Sequence, residues 1–195
     1  TNLTLDSEAV LPAEHRLTFA VDHEEQQADS DSGFADFSRR IGATGLVGQY
    51  QLGLFDGLFL TGSVRHDLND LFRDTTTYRL TAAYRIEATG TKLRASYGTG
   101  VKNPTLFELY GFTNTYRGNP DLRPEHAESW DAGFDQEIWG GRVVLDATYF
   151  EQRIGDLIVG SGQGSANLPG TATARGVELG LTVTPVDDLT IRASY

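Results

Sequence analysis

The 195-residue chain contains no cysteine, so a disulfide framework and a cysteine-ligated metal site are both excluded. It contains no methionine either, not even at position 1, and it stops at "TIRASY" in the middle of an apolar alternation. Both ends therefore read as cut, and a fragment is expected. No signal peptide is visible, although a trimmed N-terminus does not report on targeting. Bases are outnumbered, with 16 Lys and Arg against 27 Asp and Glu, for a formal net charge of -11. That balance argues against a nucleic-acid partner, which needs a basic face. No run of about 18 apolar residues exists, which excludes a transmembrane helix. It leaves a membrane barrel open, because barrel strands are apolar on one face only.

Period-two alternation fills these gaps. "TYRLTAAYRIE" sets Tyr78, Leu80, Ala82, Tyr84 and Ile86 against Arg79, Thr81, Arg85 and Glu87. "KLRASY", "SWDAGFDQEI", "RVVLDATYF", "GVELGLTV" and "LTIRASY" repeat the pattern, and less regular strands fit at Asn2–Val10, Arg16–His23, Gly42–Leu54 and Gly57–His66. These segments make about ten strands. Short connections, such as "ATG" at Ala88–Gly90 and "WGG" at Trp139–Gly141, alternate with long ones at Glu24–Arg40, Gly100–Glu125 and Gly155–Thr173. In an antiparallel meander every short turn then lies at one end and every long loop at the other. The expected fold is all-β: an antiparallel up-and-down transmembrane β-barrel, of which the chain supplies contiguous strands. A soluble all-β module, a sandwich or a lipocalin-like barrel, is the alternative, and the discriminating property is which face is dry.

Two further patterns favour the membrane. Tyr97, Tyr149 and Tyr195 lie at similar distances beyond short turns, while Tyr78 and Trp130 lie at similar distances before them, all on the apolar parity. At ~3.3 Å per residue and ~45° of tilt, they fall ~20–25 Å above the turns, the height of an aromatic girdle. The apolar faces, including Leu17/Phe19/Val21 and Leu58/Leu60/Val64, carry no charge. The opposite faces carry Arg79, Arg85, Lys92, Arg94, Asp131, Asp135, Asp146, Glu178 and Arg192, which suits a wet lumen or one filled by polar protein.

The most specific stretch is "ASYGTGVKNPTLFELYGF" followed by "GNPDLRPEHAESWDAGF". It resembles the β-barrel of TonB-dependent outer-membrane receptors. The residues that carry the resemblance include Tyr97, Gly98, Lys102, Pro104, Leu106, Glu108, Leu109, Tyr110, Gly118, Asn119, Pro120, Leu122, Pro124, Glu125 and Trp130. "YFEQRIGDLI" and "ARGVELGL" resemble further family signatures, and the match covers residues 95–184 well. The resemblance implies a barrel of about 22 strands in the Gram-negative outer membrane, surrounded by lipid and filled by the receptor's own plug domain. It implies uptake of a small metal chelate or cofactor, such as a ferric siderophore, haem or cobalamin. The TonB energy-coupling complex would drive import through the plug. No enzymatic activity and no resident cofactor are implied. Residues 1–195 contain no plug and no coupling segment, so the chain is expected to be a partial barrel domain that does not transport alone.

Within the loop, Pro120 and Pro124 restrict the backbone, Gly118 is expected to permit a turn conformation, and Asn119 opens one. Glu125 is expected to pair with an Arg or to accept backbone N–H bonds at the rim. Pro104, Leu106, Glu108, Tyr110, Gly118, Asn119, Pro120, Leu122, Pro124 and Glu125 thus read as a scaffold. Phe112, Asn114, Tyr116 and Arg117, at the tip, suit an anionic, aromatic-rich ligand or simple self-packing of the loop. The acidic stretch Asp22–Asp36 reads as a solvated loop; it could offer Ca²⁺ carboxylates, but its spacing does not fit an EF-hand. Four scattered histidines show no metal spacing, and His126 lacks a GxSxG elbow that would support a hydrolase.

Overall fold

A computed structural model describes residues 7–8, 14–31, 36–55 and 57–195. Ten strands form one antiparallel sheet in chain order: β1 Ser7–Glu8, β2 Glu14–Asp31, β3 Asp36–Leu54, β4 Leu58–Asn69, β5 Thr75–Ile86, β6 Thr91–Lys102, β7 Glu125–Ile138, β8 Val143–Gly155, β11 Thr171–Val186 and β12 Leu189–Ser194. A separate two-stranded hairpin, β9 Ile158–Ser161 with β10 Gly164–Asn167, and one short helix, α1 Leu106–Tyr110, interrupt the series. The sheet is open among the described residues, since β1 and β12 each pair on one side only. Most of the expected strand at Asn2–Val10 lies outside the described residues.

The register accounts for the alternation. Tyr97 of β6 stands opposite both Leu80 of β5 and Trp130 of β7, so residues of one parity share one face across the sheet. That face is bare. Leu17, Phe19, Val21, Leu46, Val64, Leu93, Phe134, Leu145 and Leu179 are all exposed, and Leu80 keeps 56% of its surface open. A soluble sandwich or small barrel would bury these rows against one another; here they point away from the chain. The other face is cross-linked by polar groups. Arg94 Nε donates to Asp135 Oδ1 at 3.0 Å and Arg94 Nη2 to Thr148 Oγ1 at 2.6 Å, while Lys92 Nζ lies 3.6 Å from Asp135. Arg65 bonds Asp22 on β2 and Asp67 on its own strand, crossing β3 over Gly45. A Cβ at Gly45 would come within 2.1 Å of Arg65 Nη2, so glycine there makes room for the bridge.

Short turns sit at one end. The fifth connection is a 3₁₀ turn, Glu87–Thr89, closed by Gly90 at φ 65°, whose N–H donates to Glu87 O at 3.2 Å. Gly is the residue that tolerates this left-handed backbone without penalty. At the other end the expectations need correction. The stretch Glu24–Arg40 is not a free loop: β2 and β3 remain paired from Glu24↔Ala43 to Asp31↔Asp36, and residues 32–35 lie outside the described residues. Backbone pairing needs no apolar face, so a strand projecting into water loses the alternation by which it is read. The Gly100–Glu125 and Gly155–Thr173 connections likewise contain α1 and the β9–β10 hairpin.

The hydrophobic core lies outside the ten-stranded sheet. Among the described residues the buried apolar side chains are Leu106 and Leu109 of α1, Leu122, and Ile158 of β9. Leu109, Leu122 and Ile158 form one cluster, against which Phe72, from the β4–β5 connection, and Tyr110 pack. The sheet leaves its apolar surface to its surroundings, while the long connections fold on themselves.

Candidate functional site

The β6–β7 connection is built around α1. Pro104 is buried, and Thr105 follows it as the N-cap. Thr105 Oγ1 accepts the Glu108 N–H at 3.1 Å, and the Glu108 carboxylate accepts the Thr105 N–H at 2.8 Å. This reciprocal capping box closes a helix of only five residues. The T-x-x-E signal was present in the sequence as "TLFE". The helix buries Leu106 and Leu109, and the Arg39 guanidinium of β3 stands 5.6 Å from the Tyr110 ring centroid.

Beyond α1 the chain returns over its own path. Gly118 N–H donates to Gly111 O at 2.7 Å and Asn119 N–H to Glu108 O at 2.8 Å. Gly118 has no left-handed φ. Its requirement is contact, because a Cβ there would lie 2.6 Å from the Leu109 carbonyl carbon. The turn-conformation reading of this glycine is corrected to one of close backbone approach. Asn119 Oδ1 accepts the Asp121 N–H at 3.0 Å, the local turn expected before Pro120, and Pro124 leads into β7. Leu122 then enters the core.

The second long connection docks onto the first. Asn119 Nδ2 donates to Ser165 O at 3.1 Å, and Tyr116 Oη lies 2.9 Å from Ser165 Oγ. Arg117 N–H donates to Gln163 O at 3.1 Å. Asn167 Oδ1 accepts the Arg123 N–H at 2.9 Å, and its amide donates to Arg123 O and Asp156 O. Arg123 Nη2 pairs with Asp156 at 2.6 Å. Glu125 is buried, and its Oε1 accepts Ile158 N–H at 2.9 Å and Lys102 Nζ at 3.2 Å. The carboxylate thus takes a Lys and a backbone N–H, with no Arg involved. The two connections form one folded cap.

The cap carries an open cavity of about 860 Å³ lined by Phe112, Thr113, Asn114, Thr115, Arg117, Gly162 and Gln163. A turn in which Thr113 Oγ1 accepts the N–H of Tyr116 at 2.9 Å puts Asn114 and Thr115 at its tip. The Arg117 guanidinium stands 5.2 Å from the Phe112 ring centroid. Three of the four tip residues singled out from sequence therefore converge. Tyr116 does not join them: it stacks on Phe107 at 4.6 Å and holds Ser165. Gly162 and Gln163 had no sequence signal beyond a glycine-rich tip. The cavity has a cation, amides and hydroxyls but no carboxylate, a lining matched to an anionic ligand rich in acceptor oxygens. Among the described residues no group of three or more His, Asp or Glu side chains is placed to hold a metal. Asp22, which opens the acidic stretch, accepts from Arg65.

The family model for the TonB dependent receptor-like β-barrel matches residues 1–195, the whole chain. The chain belongs to this family. Solved structures of the same shape include the siderophore receptor PirA from Pseudomonas aeruginosa, with a TM-score of 0.86 at 19% identity over 98% of this chain and 38% of that one. A mutant of the ferric enterobactin receptor PfeA from the same organism, in complex with enterobactin, gives 0.83 at 19% identity over 98% and 34%. The Serratia marcescens hemophore receptor HasR, in complex with its hemophore and haem, gives 0.76 at 16% identity over 93% and 38%. The chain spans between about a third and two fifths of these receptors, which fits an open sheet that is part of a larger barrel. The family, like these solved structures, is one of receptors.

Within this receptor barrel the five aromatics expected at one height are placed as follows. Tyr78 and Tyr97 stand 5.8 Å apart between ring centroids, and Trp130 and Tyr149 stand 5.2 Å apart. The register sets Tyr97 against Trp130, which joins the two pairs into one row across β5 to β8. Tyr195 exchanges backbone hydrogen bonds with Leu179 at 2.9 Å, one pleat nearer the short turns than Tyr149↔Val177.

Proposed function

We propose that this chain is the loop-bearing part of an outer-membrane receptor that imports a scarce anionic metal chelate, such as a ferric siderophore or haem, under TonB energy coupling. The cavity at the cap carries this reading: Arg117, Phe112 and Asn114 converge there with Gln163 of the neighbouring connection. An Arg beside an aromatic ring offers charge and a flat apolar surface together. Tyr116 and the scaffold residues from Pro104 to Glu125 hold the two connections in register and do not touch ligand. The charged face of the sheet is the surface against which the receptor's own plug packs. The bare face meets lipid, with Tyr78, Tyr97, Trp130, Tyr149 and Tyr195 at the hydrocarbon boundary.

The test is binding by the full-length receptor. Ferric catecholate and hydroxamate siderophores, haem and cobalamin would be titrated by calorimetry in detergent. Arg117→Ala is expected to weaken the preferred chelate by about ten-fold or more, as for the loss of a charge-assisted contact. Tyr116→Phe is expected to change affinity little. A receptor that binds no chelate, or one whose affinity is indifferent to Arg117→Ala combined with Phe112→Ala, overturns the reading.

A further inference from the structure

Among the described residues three that are not glycine take left-handed backbone: Phe55 at φ 51°, Trp139 at φ 55° and Asp156 at φ 55°. Aspartate is a type that accepts this conformation, whereas a bulky aromatic residue is strained by it. Phe55 opens the β3–β4 turn and Trp139 the β7–β8 turn, so both sit at the short-turn end of the sheet. Asparagine or glycine would fill either position without that strain. The rings gain little from the protein in return. Phe55 keeps 88% of its surface open and Trp139 keeps 78%.

Neither tip is loose. Gly57 N–H donates to Phe55 O at 2.9 Å, and Arg85 N–H donates to Gly57 O at 2.9 Å, which ties the first turn to β5. In the second, Thr184 N–H of β11 donates to Arg142 O at 2.7 Å, and the Arg142 guanidinium donates to Pro185 O at 3.0 Å. The rings are therefore displayed on fixed backbone. Each also follows the last bare-face residue of its strand. Leu54, which pairs with Leu58, precedes Phe55, and Ile138, which pairs with Val143, precedes Trp139. The bare face thus reaches the tips. Trp139 lies nine residues beyond Trp130, or ~21 Å down the barrel at ~3.3 Å per residue and ~45° of tilt. An apolar band of ~25 Å with Trp130 at its upper edge puts these tips at its lower edge.

We propose that the Phe55 and Trp139 rings insert into the phospholipid leaflet at the short-turn end and set the depth of the barrel there. The indole lies at the boundary, where its N–H meets phosphate or ester oxygens, and the Phe55 ring, with no polar group, lies deeper among the acyl chains. Burial of the rings in lipid offsets the strain that the two turns carry. This proposal rests on the membrane reading above.

The experiment uses full-length receptor in phosphatidylcholine vesicles, with every other Trp replaced by Phe. Trp139 reports from its own turn, and Phe55→Trp on a Trp139→Phe background reports from the other. The quenchers are lipids brominated near the glycerol ester, lipids brominated near the chain end, and aqueous acrylamide. Both sites are expected to be quenched at least two-fold more by the shallow bromines than by the deep ones. Acrylamide is expected to quench them at least three-fold less than in urea-unfolded receptor. Acrylamide quenching as strong as in unfolded receptor puts the tips in water, where a soluble partner would meet them, and overturns the proposal. A second measurement keeps Trp130 as the sole Trp and combines Phe55→Asn with Trp139→Asn. Asn accepts the turn backbone, so this variant is expected to fold in detergent as wild type does. Polar tips should draw the barrel toward their own side, and the shallow-to-deep quenching ratio of Trp130 is expected to fall two-fold or more relative to Trp139→Phe alone. An unchanged ratio overturns the depth-setting role. A receptor that enters no vesicles overturns the membrane reading and the proposal together, whereas entry with the tips in water removes only the proposal.

Discussion

Glu125 begins β7, and its carboxylate accepts the backbone N–H of Ile158 at 2.9 Å, across 33 residues of sequence. One buried side chain therefore ties the end of the first long connection to the start of the second.

Replacing Glu125 with Ala strands that amide. An unsatisfied buried donor costs ~1–3 kcal/mol, and the loss falls on the cap because the sheet ladders do not use this group. Hydrogen exchange is expected to quicken about ten-fold or more at Ile158 and Asn119. The thermal melting of the sheet should move little. Unchanged exchange at both amides would show that the two connections are not joined through this carboxylate.

Gly118 meets backbone, which cannot rotate away as a side chain can. Gly118→Ala sets a methyl 2.6 Å from the Leu109 carbonyl carbon, and overpacking of this kind costs ~1–3 kcal/mol. Gly162, at the tip of the β9–β10 hairpin, has nothing within 4 Å of a built Cβ. Limited proteolysis is expected to nick the cap of the Gly118→Ala receptor faster than wild type and to leave Gly162→Ala unaltered. Equal cleavage of both variants would contradict the close approach.

Ala82 and Thr81 are neighbours on β5 that face opposite sides. In vesicles Ala82→Arg, about halfway between the aromatic row and the short turn, is expected to lower unfolding stability by ~2–4 kcal/mol, the cost of an Arg on the lipid face near the midplane. Thr81→Arg, on the face already bearing Arg79 and Arg94, should cost much less. Denaturant unfolding measures the difference, and a reversed order would exchange the two faces.

Trp130 lies in the row with Tyr97 and Tyr149. With the other Trp removed as Trp139→Phe, fluorescence of Trp130 is expected to be quenched more by lipids labelled near the headgroup than by lipids labelled at the chain end. Stronger quenching from the chain end would move the row to mid-membrane.

Much of the molecule was legible before any coordinates. Alternation from Tyr78 to Ile86 assigned both faces of β5, and the uncharged rows predicted the surface that remains bare. The aromatic spacing placed Tyr78, Tyr97, Trp130 and Tyr149 together. Reading failed where both faces of an element meet water. The upper halves of β2 and β3 show no alternation, so they read as a loop. Short elements were missed too, because α1 and the β9–β10 hairpin are shorter than any reliable period. Tyr116 was grouped with Phe112, Asn114 and Arg117 by proximity in sequence, although it turns away to Phe107 and Ser165.

The sequence by itself determined which side of each strand is apolar, the order of the strands and the end at which the long connections gather. A period of two maps residue parity directly onto the faces of a sheet, and a meander needs no long-range information to order itself. Only the tertiary structure decided that the two longest connections close into one cap around Leu109, Leu122 and Ile158, and that Gly118 is required by a backbone it touches. Those outcomes depend on contacts between residues far apart in the chain, where local patterning carries no signal.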